Sequence, residues 1–242
     1  MSSLTNVAGF FGKVHTLGDF VSRRLKASFV QDWDAWLEGS LSASQEQLGH
    51  EWLPVYLTSP IWRFLLSPGN CGDSAWAGVM MPSVDRVGRY FPLTLAIQVN
   101  EPQALPCLFA TAADWFDALE QLALSALRDD FNLDEFDERL QGLPLPQQAA
   151  EFCCGGSIDV GGDGHVSCHI EMESLEDISK AYMKLSGGLI TACWPTYSLW
   201  ISMGSERIRP SFYAYNGLPP LAAYVELLAG RLQQGGWGDD AT

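Results

Sequence analysis

Positive charge is scarce in this chain: 14 Lys and Arg stand against 29 Asp and Glu, a formal net charge of −15 at pH 7. That balance argues against a nucleic-acid binder and against an anionic-membrane binder, because both draw phosphate groups with a positive field. No apolar run approaches the roughly 20 residues a membrane helix needs, so no membrane insertion is expected. Met1 to Val7 is polar and short, unlike a signal stretch. Six cysteines, at 71, 107, 153, 154, 168 and 193, form no CxxC pair and no small-domain disulfide spacing. They read as reduced thiols, and the expected compartment is the cytoplasm. Also missing are GxGxxG, the P-loop, HExxH and the GxSxG elbow, and there is neither an internal repeat nor a low-complexity tract.

What is present is enough apolar matter for a sizeable core: 242 residues, 47% hydrophobic and 12% aromatic. The charge is unevenly placed. Residues 1–90 carry seven basic and eight acidic side chains, whereas 91–242 carry seven and 21. A nearly neutral, arginine-rich first part and a strongly acidic second part suggest two faces of different electrostatic character, or simply solvated acidic helices.

The most informative stretch is Met81-Pro82-Ser83-Val84-Asp85-Arg86-Val87-Gly88-Arg89-Tyr90-Phe91-Pro92-Leu93, a charged loop between two apolar runs. Ala75 to Met81 has strand length. Phe91, Leu93, Leu95, Ile97 and Val99 then alternate with Pro92, Thr94, Ala96 and Gln98, the period of a half-buried strand. A β-hairpin with a long loop follows. Guanidinium groups beside a carboxylate, here Asp85, Arg86 and Arg89, make either an internal brace or a surface that recognises an anion. Residue types alone do not choose.

In chain order, Val7 to Val14 reads as a strand whose glycines permit close backbone approach. Ser28 and Gln31 have the spacing of a capping box, and Phe29, Trp33, Trp36, Leu37 and Leu41 fall on one face of a helix over 29–47. Those tryptophans read as core. Pro54 and Pro60 limit any helix before a strand at 61–67, where Arg63 needs a carboxylate or carbonyl partner. Asp19 and Asp85 are the candidates. A linker at Glu101–Pro106 precedes a helix opening at Thr111–Asp114 with Trp115, Leu119, Leu122 and Ala126 on one face. Asn132 caps a shorter helix whose outer face presents Asp134, Glu135, Asp137 and Glu138. A strand at 165–170, a helix at 175–185 weakened by Gly187-Gly188, and strands at 197–203 and 211–215 follow. The last helix starts at Pro219-Pro220, carries Leu221, Tyr224, Val225, Leu228 and Leu232, and closes at Gly235-Gly236.

The expected fold is therefore α/β: an α/β/α sandwich on a mainly antiparallel or mixed central sheet, a longin-like meander being one form that fits. One globular domain over 1–242 is expected, with a strand-rich part at 7–99 and a helix-rich remainder at 100–235. Chemistry is thinly represented. Ser83, His15 and Asp19 are the residues from which a hydrolase triad would have to be built. His165, Cys168 and His169 do not converge on one face of a strand, and Asp159 and Asp163 do not complete an EF-hand loop, so no metal and no cofactor is expected.

Four blocks in order carry a resemblance: Gly9-Phe10-Phe11-Gly12-Lys13, Gly18-Asp19-Phe20-Val21, Ser59-Pro60-Ile61-Trp62-Arg63-Phe64, and the loop from Met81 to Leu93. They resemble the TagF family of type VI secretion-associated proteins, also called ImpM, closely over residues 7–99. Beyond that, Ser198-Leu199-Trp200 and the helix after Gly217-Leu218-Pro219 are similar. The resemblance implies an α/β/α fold and a bacterial cytoplasmic protein that restrains type VI secretion after translation, without catalysis. Its implied partner is a forkhead-associated-domain scaffold of the secretion apparatus. Some members are fused to a protein phosphatase domain, and a stand-alone repressor is the nearer analogue here. Because the blocks hold nearly all the N-terminal arginine chemistry, Asp19, Arg63, Ser83, Asp85, Arg86 and Arg89 are expected to form one polar cluster, partner-binding or structural. A small-anion sensor or hydrolase using that cluster is the alternative.

Overall fold

The computed structural model describes residues 7–144, 156–160, 166–170, 172 and 174–230. Its strands are β1 (Gly9–Gly12), β2 (Val21–Arg23), β3 (Trp62–Leu66), β4 (Ala75–Met81), β5 (Leu93–Val99), β6 (Gly156–Val160), β7 (Val166–Ile170), β8 (Tyr197–Ser202) and β9 (Ser211–Asn216). The helices are α1 (Ala27–Leu48), α2 (Trp52–Leu57), α3 (Leu108–Thr111), α4 (Ala113–Ser125), α5 (Leu133–Gln141), α6 (Ile178–Cys193) and α7 (Tyr224–Ala229).

Seven strands form one antiparallel sheet in the order β2-β1-β5-β4-β3-β8-β9, and β6 pairs with β7 apart from it. The hairpin read from the sequence is the β4–β5 pair, closed where Met81 faces Leu93. Alternation along these strands sends side chains to two covered faces rather than one. Leu65, Ala77, Val79, Leu95 and Ile97 pack with Trp115, Phe116 and Leu119 of α4 and Phe136 of α5. Phe64, Trp76, Met80, Ala96 and Trp200 pack with Phe29, Trp33 and Trp36 of α1, Tyr56 of α2 and Leu227 of α7. The sheet is thus the middle of three layers, and β5 is buried on both sides where the alternation predicts a half-buried strand. Thr94, polar by type, is fully buried because Trp33 Nε1 donates to its Oγ1 at 2.9 Å. Trp36 and Trp62 likewise donate their indole N–H to the Pro219 and Leu227 carbonyls, both at 2.8 Å, which ties α1 and β3 to the C-terminal segment. The tryptophans in this layer combine large apolar area with one satisfied indole donor each.

Several local expectations are corrected. α1 begins two residues earlier, with Lys26 at the N-cap and no side-chain cap, so Ser28 lies inside the helix and its capping box with Gln31 does not form. α6 runs through Gly187-Gly188 to Cys193. Gly187 is selected there by proximity, since a Cβ would stand 3.1 Å from the Pro106 side chain. α7 ends at Gly230, at φ 79°; Leu232 and Gly235-Gly236 lie outside the described residues. So does His165, while Cys168 and His169 are exposed at the end of β7. Cys71, Cys107, Cys168 and Cys193 are free thiols, and burial, with help from Asp32, pushes the Cys71 thiol up to about 12. No described helix is long and apolar enough to cross a membrane.

The packing of β4 on β5 is tight enough at Gly78 that an added Cβ would overlap the Leu95 carbonyl oxygen. Gly78→Ala therefore forces the two central strands apart, and is expected to cost about 1–3 kcal/mol. Urea denaturation checks this: the midpoint falls while the slope stays at the wild-type value.

Candidate functional site

The loop between β4 and β5 sits beside the turn that joins β1 to β2, and one buried carboxylate organises both. Asp85, 3% exposed, accepts from the Lys13 ammonium at 3.0 Å and from Arg89 Nε at 2.6 Å. It also accepts from the backbone N–H of Val87 at 3.0 Å and of Arg89 at 2.9 Å. The loop closes on itself through Asp85 N–H to Arg89 O and Gly88 N–H to Asp85 O, both 3.0 Å, with Gly88 at φ 87° making the turn. Burial works to raise the Asp85 carboxyl, but the hydrogen bonds from the Arg89 N–H, Lys13, the Arg89 guanidinium and the Val87 N–H outweigh it, and the group is held well below the usual carboxylate range.

Two further anchors fix the loop from beneath. The Tyr56 hydroxyl donates to Ser83 O at 2.9 Å and accepts from Ser83 N–H at 3.0 Å. Ser83 Oγ donates to Lys13 O at 2.7 Å. From the side, Arg86 N–H donates to Leu17 O at 2.9 Å, and the Arg89 guanidinium donates to Gly18 O. Asp19, its side chain fully exposed, stands 3.8 Å from the same guanidinium. Phe20 stacks on Phe11 at 5.4 Å and meets Phe91 edge-on at 4.8 Å, with the Lys13 ammonium 4.9 Å from its ring centre. The exposed crest of the assembly is Phe20 (47% exposed), Val87 (65%) and the Arg86 side chain. Arg86 has no ion-pair partner among the described residues.

Of the six residues expected together, the structure gathers Asp19, Ser83, Asp85, Arg86 and Arg89 and places Arg63 elsewhere. Arg63, on β3, faces the opposite layer and pairs with Asp117 at 2.5 Å and Glu120 at 2.6 Å on α4, not with Asp19 or Asp85. It lies over the Phe116 ring as well, 5.6 Å away. The carboxylates sit three residues apart on the helix, so one guanidinium fork spans both. The triad of Ser83, His15 and Asp19 is not assembled: Ser83 Oγ serves the Lys13 carbonyl, and His15 Nδ1 is bonded to Ala126 O at 2.9 Å.

Sequence reading missed three participants. Lys13 follows Gly12 with nothing to mark its partner, and Tyr56 leaves no signal at all. The third is Asp137, which helical spacing puts on an acidic outer face. It is 5% exposed and accepts from Arg24, from Arg23 at 2.7 Å and from Gln141 at 3.2 Å. Arg23 also reaches Asp134 at 2.8 Å. Burial opposes ionisation of Asp137, and the Arg24 and Arg23 bonds override it, leaving the carboxyl lowered. The Arg23-Arg24 doublet was the available clue.

Two outcomes follow from this geometry. Tyr56→Phe leaves the buried Ser83 N–H without its acceptor, an expected loss of about 1–3 kcal/mol by chemical denaturation. The Asp85 carboxyl is lower in the folded chain than its ordinary 3.8, so its stabilisation is complete above that value and is lost as pH falls below it. Thermal melts of wild type and Asp85→Asn should differ most at neutral pH and draw together progressively as pH falls from about 4 toward the lowered native value.

A model of the TagF N-terminal domain, described as type VI secretion system-associated, matches residues 9–143. The chain is also similar to a solved protein, PA0076 from Pseudomonas aeruginosa PAO1. The two are 36% identical and superpose with a TM-score of 0.79, over 97% of this chain and 100% of that one. A comparison with curated proteins gives no match. The matched segment contains β1 through α5, hence the whole Asp85 assembly and the Arg63 and Asp137 pairs. The chain belongs to the TagF family of type VI secretion-associated proteins.

Proposed function

We propose that this protein is a post-translational negative regulator of type VI secretion that acts in the cytoplasm, without catalysis, by binding a forkhead-associated-domain scaffold of the secretion apparatus. The observation that carries the reading is the match of residues 9–143 to the TagF N-terminal domain, with the arginine loop inside the matched segment. The geometry of that loop supports a contact role. Its base is braced by Asp85, Tyr56 and Lys13, while its exposed side chains include Val87, Phe20 and the Arg86 guanidinium, which has no ion-pair partner among the described residues. A rigid cationic and apolar knob loses little freedom on docking, and arginine and aromatic residues dominate interface energetics. Engagement of Ser83 Oγ and His15 Nδ1 in backbone hydrogen bonds supports a non-catalytic role.

The two loop arginines divide the labour. Arg89 spans Asp85 and Gly18 and holds the fold, whereas Arg86 faces outward. A pull-down of the type VI components from bacterial lysate, read by mass spectrometry, is expected to recover the scaffold with wild type. Recovery should fall at least about tenfold with Arg86→Ala, whose Tm stays within about 2 °C of wild type. Arg89→Ala lowers the Tm. Equal recovery with Arg86→Ala would move the contact surface away from the loop, and no recovery with wild type would set the scaffold aside as partner.

A further inference from the structure

The two edges of the sheet differ in kind. β2 is three residues long and is ended by Arg24 at φ 63°, and its arginines run across to α5. Little backbone is left there to pair. β9 is six residues in unbroken register with β8, from Ser202 opposite Ser211 to Tyr197 opposite Asn216. It contains no charge and no proline, and no described strand lies on its other side.

The direction of its backbone groups follows from the hairpin. Gly217 N–H donates to Thr196 O at 3.0 Å, and these residues continue the β8–β9 register as a hydrogen-bonded pair. Such pairs alternate along an antiparallel ladder. Ser211, Tyr213 and Tyr215 therefore bond β8, and the N–H and C=O of Phe212, Ala214 and Asn216 turn outward. The side chains of the same three residues are exposed, Phe212 by 57%. Natural sheets blunt such edges with lysine, proline, bulges or brevity; β9 has none of these.

The turn that feeds β9 supplies charge. Arg207 and Arg209, two of the seven basic residues after position 90, are exposed on it and have no ion pair among the described residues. Met203 beside them is 66% exposed. We propose that β9 receives an extended segment of a partner protein as an eighth strand, with acidic side chains of that segment seated on Arg207 and Arg209. Main-chain hydrogen bonds from the outward groups supply the affinity, and the arginines choose the sequence. A second copy of this chain fits less well: two-fold antiparallel pairing about the middle of β9 sets Arg209 against the uncharged Leu218-Pro219 stretch and brings together two chains of net charge −15.

The test uses fluorescence anisotropy with a labelled synthetic peptide of alternating valine and threonine ended by two aspartates, and a control ended by two lysines. The aspartate peptide is expected to bind wild type and to weaken at high salt. Ala214→Pro removes an outward N–H at an edge position that tolerates proline, and it and the Arg207→Glu/Arg209→Glu variant should each bind at least about tenfold more weakly. Hydrogen exchange at Phe212, Ala214 and Asn216 should slow when peptide is added. Equal affinity for the lysine peptide, unchanged binding by both variants, or no binding at about 1 mM peptide would overturn the proposal. So would sedimentation showing a dimer that Ala214→Pro dissolves, which assigns the edge to a second copy.

Discussion

Helices on both faces of the sheet leave its central strands without a solvent face, and that constraint governs where every polar group near them must go. Thr94 is satisfied by Trp33, and Ser198 serves both the Trp200 indole and the Gly217 carbonyl. Arg63 is drawn to the two carboxylates that α4 brings over β3. Burying a charge or a donor without a partner would cost more than the surrounding apolar contacts return. Each of these pairs therefore also fixes the rotation of a helix against the sheet, so polar satisfaction and layer geometry are the same fact seen from two sides.

The Asp85 assembly obeys the same constraint at the rim of the sheet. A loop as long as the one joining β4 to β5 would be loose if its only ties were local. Here a carboxylate with four donors gathers β1, its following turn and the loop into one unit. The residues that do this inward work are distinct from Arg86, Val87 and Phe20, which are left to the outside. Family membership and this division of roles are what the proposed contact function rests on.

Much of the architecture was readable because periodicity reports burial. The stripe from Phe29 to Leu41, the hairpin strands and the Asn132 cap, whose side chain accepts from the N–H of Asp134 and Glu135, appear where spacing puts them. Five of six expected cluster residues meet, since they come from neighbouring segments of the matched blocks. What spacing could not give was the facing of one element against another. Arg63 finds its carboxylates on α4 rather than at Asp19 or Asp85, and nothing in sequence says that Asp117 and Glu120 come within reach of β3. Asp137 was read as solvated because a helix period locates a face but not what lies opposite it. Reading Gly187-Gly188 only as weakening the helix leaves out that a small residue is also how a helix approaches a proline-bearing neighbour.

Strand order carries a consequence for how the chain comes into being. β3 lies between β4, which follows it closely, and β8, where Leu66 meets Ser198. On the ribosome the segment 9–143 therefore emerges with Trp62, Phe64 and Leu66 on a strand that still lacks one neighbour, and the layer built by α7 over Trp62 is also absent. Contacts of such sequence separation form late and slowly. The nascent protein passes through a state whose central sheet is an open apolar edge, the kind of surface that chaperones cover. The matched segment holds the arginine loop, but its sheet is closed only by the chain's last third.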